Sequence, residues 1–290
     1  MTSRREFLAQ AGLISTSLIL VPDLLSAKMN TKAGLQLYTL RDQLPKDVRK
    51  VIANVAKAGY QQVETFGYST ENGFWGLSAE EFKQVLNNNN LTTPSGHYGI
   101  DKFLSSGDTN EIDTAIKTAK ILGQEYITIP SIDEKVRNTA AKIKNVAKNI
   151  NIAAEKISKA SLKIAYHNHD FEFHTVDGIM LYDVLLQETN PAVVHFEMDL
   201  YWVVRAGQDP LQWFAKHPGR FSMVHVKDMD KQEHQLNTEI GKGSVNFKQI
   251  FSKAKLAGIK HYIVEQENFK IDPYTSITES SNYLRKVLLA

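Results

Sequence analysis

The sequence predicts an α/β chain folded as a single (β/α)₈ TIM barrel, and three observations carry that expectation. Short apolar runs recur at spacings of roughly 25–35 residues, as a βα repeat requires. Segments with the helical period of apolar residues lie between them. In the second half, the runs 163–169, 193–199, 223–228 and 262–265 each end in His, Asp or Glu. Delivery of such side chains to one end of parallel strands is how this barrel assembles a site.

Strands are expected at 33–39, 61–66, 92–97, 125–130, 162–168, 193–199, 221–227 and 260–265. Between the first two, Val48, Ile52, Val55 and Ala56 form one helical face that ends at Gly59. Phe82, Val85 and Leu86 mark the second helix. Ile112, Ala115, Ile116, Ala119 and Leu122 mark the third, which ends at Gly123. The fourth is long, from Val136 to Ala160. Asp209-Pro210, Asn246 and Asp272-Pro273 are start signals for the last three helices. Gly59, Gly123 and Gly258 fall where helices should stop. Residues 229–244 lack helical period and are expected to form a loop or hairpin over the barrel mouth. No composition break divides the chain, so residues 30–290 are expected to be one domain.

Composition narrows the chemistry. A hydrophobic content of 42% suits a large buried core. The formal net charge of +2, with both signs scattered, argues against a nucleic-acid partner. Cysteine is absent, which excludes disulfides and thiolate chemistry, so any metal must be held by imidazole and carboxylate. Residues 1–27, with Arg4-Arg5, a short apolar run from Ala11 to Val21 and Ala27 as the exit, have the pattern of a twin-arginine export signal. The expectation is therefore a periplasmic or otherwise exported protein that meets the twin-arginine machinery. The apolar run is too short for a permanent membrane span.

Asp199, His225 and Glu265 each end an expected strand at the catalytic face. Any one of them alone could be an ordinary polar residue leaving a strand; three on consecutive strands point to a divalent ion. Mixed N/O ligation suits Mn, Co, Zn, Fe or Mg without choosing among them. Glu64, His97 and Lys227, at or near strand ends, are candidates for binding substrate hydroxyls or a carbonyl. Lys227 could also neutralise an enediolate, or form a salt bridge with Asp228 or Glu265. Tyr38, Phe66, Tyr201 and Trp202 are expected to divide between barrel-top core and an apolar pocket wall.

Gly34-Leu35-Gln36-Leu37-Tyr38-Thr39-Leu40, Val63-Glu64-Thr65-Phe66-Gly67, His97, Tyr166-His167-Asn168-His169, Met198-Asp199, His225-Val226-Lys227-Asp228 and Val264-Glu265 stand in a distinctive order. In that order and spacing the chain resembles the xylose-isomerase-like barrels of the sugar phosphate isomerase and epimerase type. The resemblance implies one divalent metal held by side chains of strands five to eight, here His167, Asp199, His225 and Glu265, and proton transfer beside a sugar carbonyl. The family commonly has Glu where this chain has His167. A metal-bound imidazole has no free lone pair for a proton, so two-glutamate epimerisation is not expected. His169, on the same strand face as His167, or Glu172 in the following loop would supply the missing base, with Glu265 as the other catalytic carboxylate.

The function expected on these grounds is an exported, metal-dependent sugar isomerase or epimerase that abstracts a proton α to the carbonyl of a free sugar or keto-glycoside. Elimination from the same enediolate, by a keto-sugar lyase, is the alternative. A non-catalytic periplasmic sugar-binding barrel is a further class. The endonuclease branch of the superfamily needs more His and Asp ligands than this chain offers. Homo-oligomerisation, the sugar and the metal are left open.

Overall fold

The computed structural model describes residues 31–290. Eight parallel strands close into a barrel in sequence order. They are β1 (Ala33–Gln36), β2 (Gln62–Thr65), β3 (Thr92–His97), β4 (Tyr126–Ile129), β5 (Lys163–His167), β6 (Val194–Asp199), β7 (Phe221–Val226) and β8 (His261–Val264). Each predicted strand is present. Most are trimmed at the ends because the last residues leave the ladder to form the mouth. β1 shows why: the Gln36 side chain accepts from the Tyr38 N–H at 3.0 Å and turns Leu37–Leu40 into a 3₁₀ helix.

The helices follow their signals. Val48–Lys57 is capped by Asp47, whose side chain accepts from Lys50 N–H. Ala79–Asn88 starts with a Ser78/Glu81 capping box. Asn110–Leu122 ends on Gly123 at φ +76°, a left-handed conformation that a β-carbon would strain. The long helix begins at Ala140 and not at Val136, because Asp133 caps a short 3₁₀ turn over Glu134–Val136 and Thr139 caps the helix proper. Asp209, Asn246 and Asp272 each cap the helix that the sequence assigns to them.

The hydrophobic core lies between the barrel and the helices, as in other α/β barrels. Tyr166 and Phe196 face outward into it, and Tyr182 of the helix Leu181–Glu188 packs on Phe196. Inside the barrel, a small apolar layer of Tyr126, Ala165, Met223 and Ile263 closes the floor. Strand alternation then makes the layers above it polar. Asp228–Met229 pairs antiparallel with Asn237–Thr238, which is the hairpin expected at the mouth. Asp228 holds that segment through the N–H groups of Met229, Gly241, Gly243 and Val245 at 2.8–3.1 Å. Among the described residues no helix is long and apolar enough to cross a membrane. The export signal expected at 1–27 lies outside the described residues.

Candidate active site

Above the apolar floor the barrel carries two tiers of ionisable side chains. In the lower tier, Glu64, His97, Glu197 and His225 each offer one atom within 4.8 Å of the others. The β2 register sets Glu64 beside Gln36 and Ser95. Its carboxylate accepts from Gln36 Nε2 at 2.7 Å and from the Ser95 hydroxyl. It also lies 2.6 Å from His225 Nε2 and 3.2 Å from His97 Nε2. Glu197 Oε2 sits 2.9 Å from His97 Nε2 and 3.2 Å from His225 Nε2. Burial opposes ionisation of both acids, but the two imidazoles hold Glu64 well below the usual carboxylate range. For Glu197 burial and the neighbouring Glu64 charge win, and its carboxyl is raised. Burial would depress His97, yet the Glu64 charge and the hydrogen bond to Glu197 push it up to about 9.

In the upper tier, His167, Asp199, His225 and Glu265 converge in the same way, again within 4.8 Å. His167 Nε2 is 3.6 Å from Asp199 Oδ2, and His225 Nδ1 is 3.9 Å from Asp199 Oδ2 and 3.3 Å from Glu265 Oε2. His167 Nε2, Asp199 Oδ2 and His225 Nδ1 are buried with no hydrogen-bond partner among the described residues. Each imidazole has its other nitrogen engaged: His167 Nδ1 bonds the Pro130 carbonyl at 3.1 Å, and His225 Nε2 bonds Glu64. With those nitrogens donating, His167 Nε2 and His225 Nδ1 are left to face the same point, where a divalent ion would take the place of a proton, as a second layer orients metal-binding histidines. Three converging, unpartnered donor atoms and an adjacent carboxylate fit a divalent cation with N/O ligands.

Lys227 is fully buried beside this tier. Its Nζ bonds Glu265 Oε2 at 3.0 Å and Glu267, and lies 3.8 Å from Asp199 Oδ2. Burial alone would lower its pKa, but Glu265, Asp199 and Glu267 together raise it. The same ammonium, with His225, holds Glu265 well below the usual carboxylate range against the effect of burial.

A cavity of about 920 Å³ opens over the upper tier. His97, His167, His169, Trp202, Glu265 and Tyr38 line it, and Tyr38 meets Phe66 edge-to-face at 5.2 Å. His169 has a buried Nδ1 without a partner, and its ring meets Trp202 at 5.4 Å and stacks on Phe171 at 5.7 Å. Burial first, and then the nearby His167, lower its pKa to about 3, which leaves the imidazole neutral.

Three of the expected site residues lie away from the cavity wall. Glu64 does not line the cavity; it lies in the tier below with its oxygens engaged by four side chains. Lys227 likewise does not line the cavity; it makes the salt bridge to Glu265 that the sequence offered as its structural alternative, and a second one to Glu267. Glu172 does not reach the upper tier: Oε1 accepts from the Tyr166 hydroxyl and Oε2 from the His169 N–H, both at 2.8 Å. Its place is behind β5, on the side that Tyr166 faces, where burial raises its pKa to about 8. It therefore holds the His169 backbone from outside the cavity wall.

Glu197 and Glu267 escaped the sequence reading. For Glu197 the signal was alternation, since it stands two residues from Asp199 on the same strand and so shares its face; Glu267 lies past the end of β8, where alternation gives no signal.

Residues 52–287 match the family model described as the xylose isomerase-like TIM barrel. A solved structure of a sugar phosphate isomerase/epimerase from Parabacteroides distasonis is 29% identical, covers 92% of this chain and 98% of its own, and has a TM-score of 0.78. A D-allulose 3-epimerase from Methylomonas sp. shares the fold, at 14% identity, TM-score 0.68, and coverage of 88% and 97%. An inosose dehydratase of Lacticaseibacillus casei is 27% identical over 121 residues, which span 35% of this chain and only 41% of that relative.

Proposed function

Because this chain belongs to the xylose isomerase-like TIM-barrel family, we propose that it is a divalent-metal-dependent carbohydrate enzyme that abstracts a proton α to the carbonyl of a free sugar or keto-glycoside. The observation that carries this reading is the upper tier, where His167, Asp199, His225 and Glu265 converge and three donor atoms lack partners. A divalent ion held there would supply a Lewis acid for the substrate oxygen. The protein's own groups do the rest. His169, whose side chain lines the cavity, is the group placed to accept the α-proton. Lys227 keeps Glu265 ionised and offsets part of the negative charge of the tier, which favours the site when an enediolate forms. Trp202 and Phe171 hold the His169 ring, and Glu172 holds its backbone.

Returning the proton at a neighbouring carbon or on the other face gives isomerisation or epimerisation. A second reading, elimination of a β-substituent from the same enediolate, is favoured by two observations. His167 stands where a second carboxylate would complete a symmetrical pair of bases, and the inosose dehydratases among the relatives are named for a lyase reaction. The free-sugar preference rests on the export signal read in residues 1–27, since sugar phosphates are chiefly cytoplasmic. Incubating keto-sugars with protein in deuterated water tests the proposal. Metal-dependent uptake of deuterium at the α-carbon is expected, and its absence across free and phosphorylated ketoses would leave a sugar-binding barrel.

A further inference from the structure

The cavity is larger than the proposed chemistry requires. At about 920 Å³ it stands near the upper end of the range for small-molecule pockets, roughly 300–1,000 Å³. A single hexose occupies roughly 200 Å³ on a scale of about 30 Å³ per water. The excess lies away from the upper tier, whose residues come from β5 to β8. The far wall is built by the segments that follow β2 and β3, through Tyr68 in the loop after β2 and Lys102, Asn110 and Thr114 on the helices Asp101–Ser106 and Asn110–Leu122.

That wall has the composition of a sugar-binding surface. Tyr38 and Phe66 join in an edge-to-face pair at 5.2 Å, and Trp75 backs Phe66 at the same distance, so the aromatic wall is braced. Ring faces of this kind match the C–H face of a pyranose. The Tyr68 hydroxyl, the Asn110 side-chain amide and the Thr114 hydroxyl line the cavity without hydrogen bonds among the described residues, so they remain available to substrate hydroxyls. The charge of this end does not suit an anion. Glu71 and Glu111 outnumber Lys102, and among the described residues no arginine lines the cavity. A phosphate would bring like charge to these carboxylates.

We propose that the far lobe is a subsite for a second, uncharged glycosyl unit, so that the substrate is a disaccharide or glycoside whose keto-sugar ring lies over the upper tier. This rests on the functional reading above for the placement of the reacting ring, but the subsite can be tested without turnover. The purified protein is titrated calorimetrically, with and without Mn²⁺, using D-glucose, trehalose, maltose, cellobiose and glucose 6-phosphate. At least one disaccharide is expected to bind tenfold or more tightly than glucose, with most of that gain lost in both Tyr68→Ala and Asn110→Ala. Two variants are used because Tyr68 also packs on Phe74 at 5.0 Å, and a folding defect in one leaves the other informative. Three results overturn the proposal: no gain for any disaccharide, a gain that both variants retain, or tighter binding of glucose 6-phosphate than of every disaccharide. Deuterium exchange on keto-sugars is read separately. A disaccharide gain without exchange removes the proposed chemistry and keeps the subsite; exchange without the gain does the reverse.

Discussion

The two tiers of the barrel mouth are built from the same kinds of side chain and share His225, but they differ in what their donor atoms have to bind. In the lower tier Glu64 is engaged by Gln36, Ser95, His97 and His225, and among the described residues only Glu197 Oε1 is left over. In the upper tier His167 Nε2, Asp199 Oδ2 and His225 Nδ1 are all left over. Buried polar atoms are costly without partners. Three of them aimed at one point therefore mark a place shaped for a ligand, whereas the lower tier is a support. His225 joins the two: the lower tier fixes its Nε2, and that turns its Nδ1 into the upper tier.

If that division of labour holds, the tiers respond differently to substitution. The largest effect is expected from Asp199→Ala with His225→Ala. Loss of several kcal/mol of Lewis-acid stabilisation should lower exchange activity by about 10³-fold or more. Rates of deuterium uptake in wild type and variant check this. His169→Ala comes next, with activity falling about 10²-fold or more while bound metal is unchanged. If metal were lost together with activity, His169 would belong to the ligand set and not to the acid–base chemistry. Glu64→Gln addresses the support. It should leave the upper-tier ligands in place and weaken metal affinity by about 10–100-fold, as lost second-layer partners do; a competition titration with a chelating dye reads the shift. A complete loss of metal would make the tiers a single site.

The smallest effect concerns Glu172, outside both tiers. Burial raises its pKa to about 8, so the folded state prefers the neutral acid. Its contribution to stability is then fully present below the unfolded carboxyl value near 4.5 and is lost as pH rises toward 8. The slope should be up to about 1.4 kcal/mol per pH unit. Denaturant melts of wild type and Glu172→Gln at several pH values should show the slope flattened in the variant. An identical pH dependence in both would mean that Glu172 is ionised in the fold.

The sequence made the barrel legible because each strand is a short apolar run and each helix repeats its apolar face. Its caps are also local: Ser78, Asp209 and Asp272 bond N–H groups two or three residues on. The convergence of His167, Asp199, His225 and Glu265 was legible for a related reason, since all four leave strands at the same end. What escaped depends on register between strands and on irregular loops. Glu64 belongs to the lower tier because β2 pairs it with Gln36 and Ser95, a depth that one strand's own pattern does not reveal. Glu172 faces Tyr166 because a 3₁₀ turn at Phe171–Phe173 directs it there, and no periodicity announces such a turn. Glu197 was readable by alternation, but it lies inside β6 and not at its end.

Metal analysis of the purified protein, beside the Asp199→Ala/His225→Ala double variant, tests the central claim most directly. The convergence of unpartnered donors predicts about one divalent ion per wild-type chain and none in the variant. No metal in the wild type, even after incubation with Mn, Co and Zn, would contradict the account.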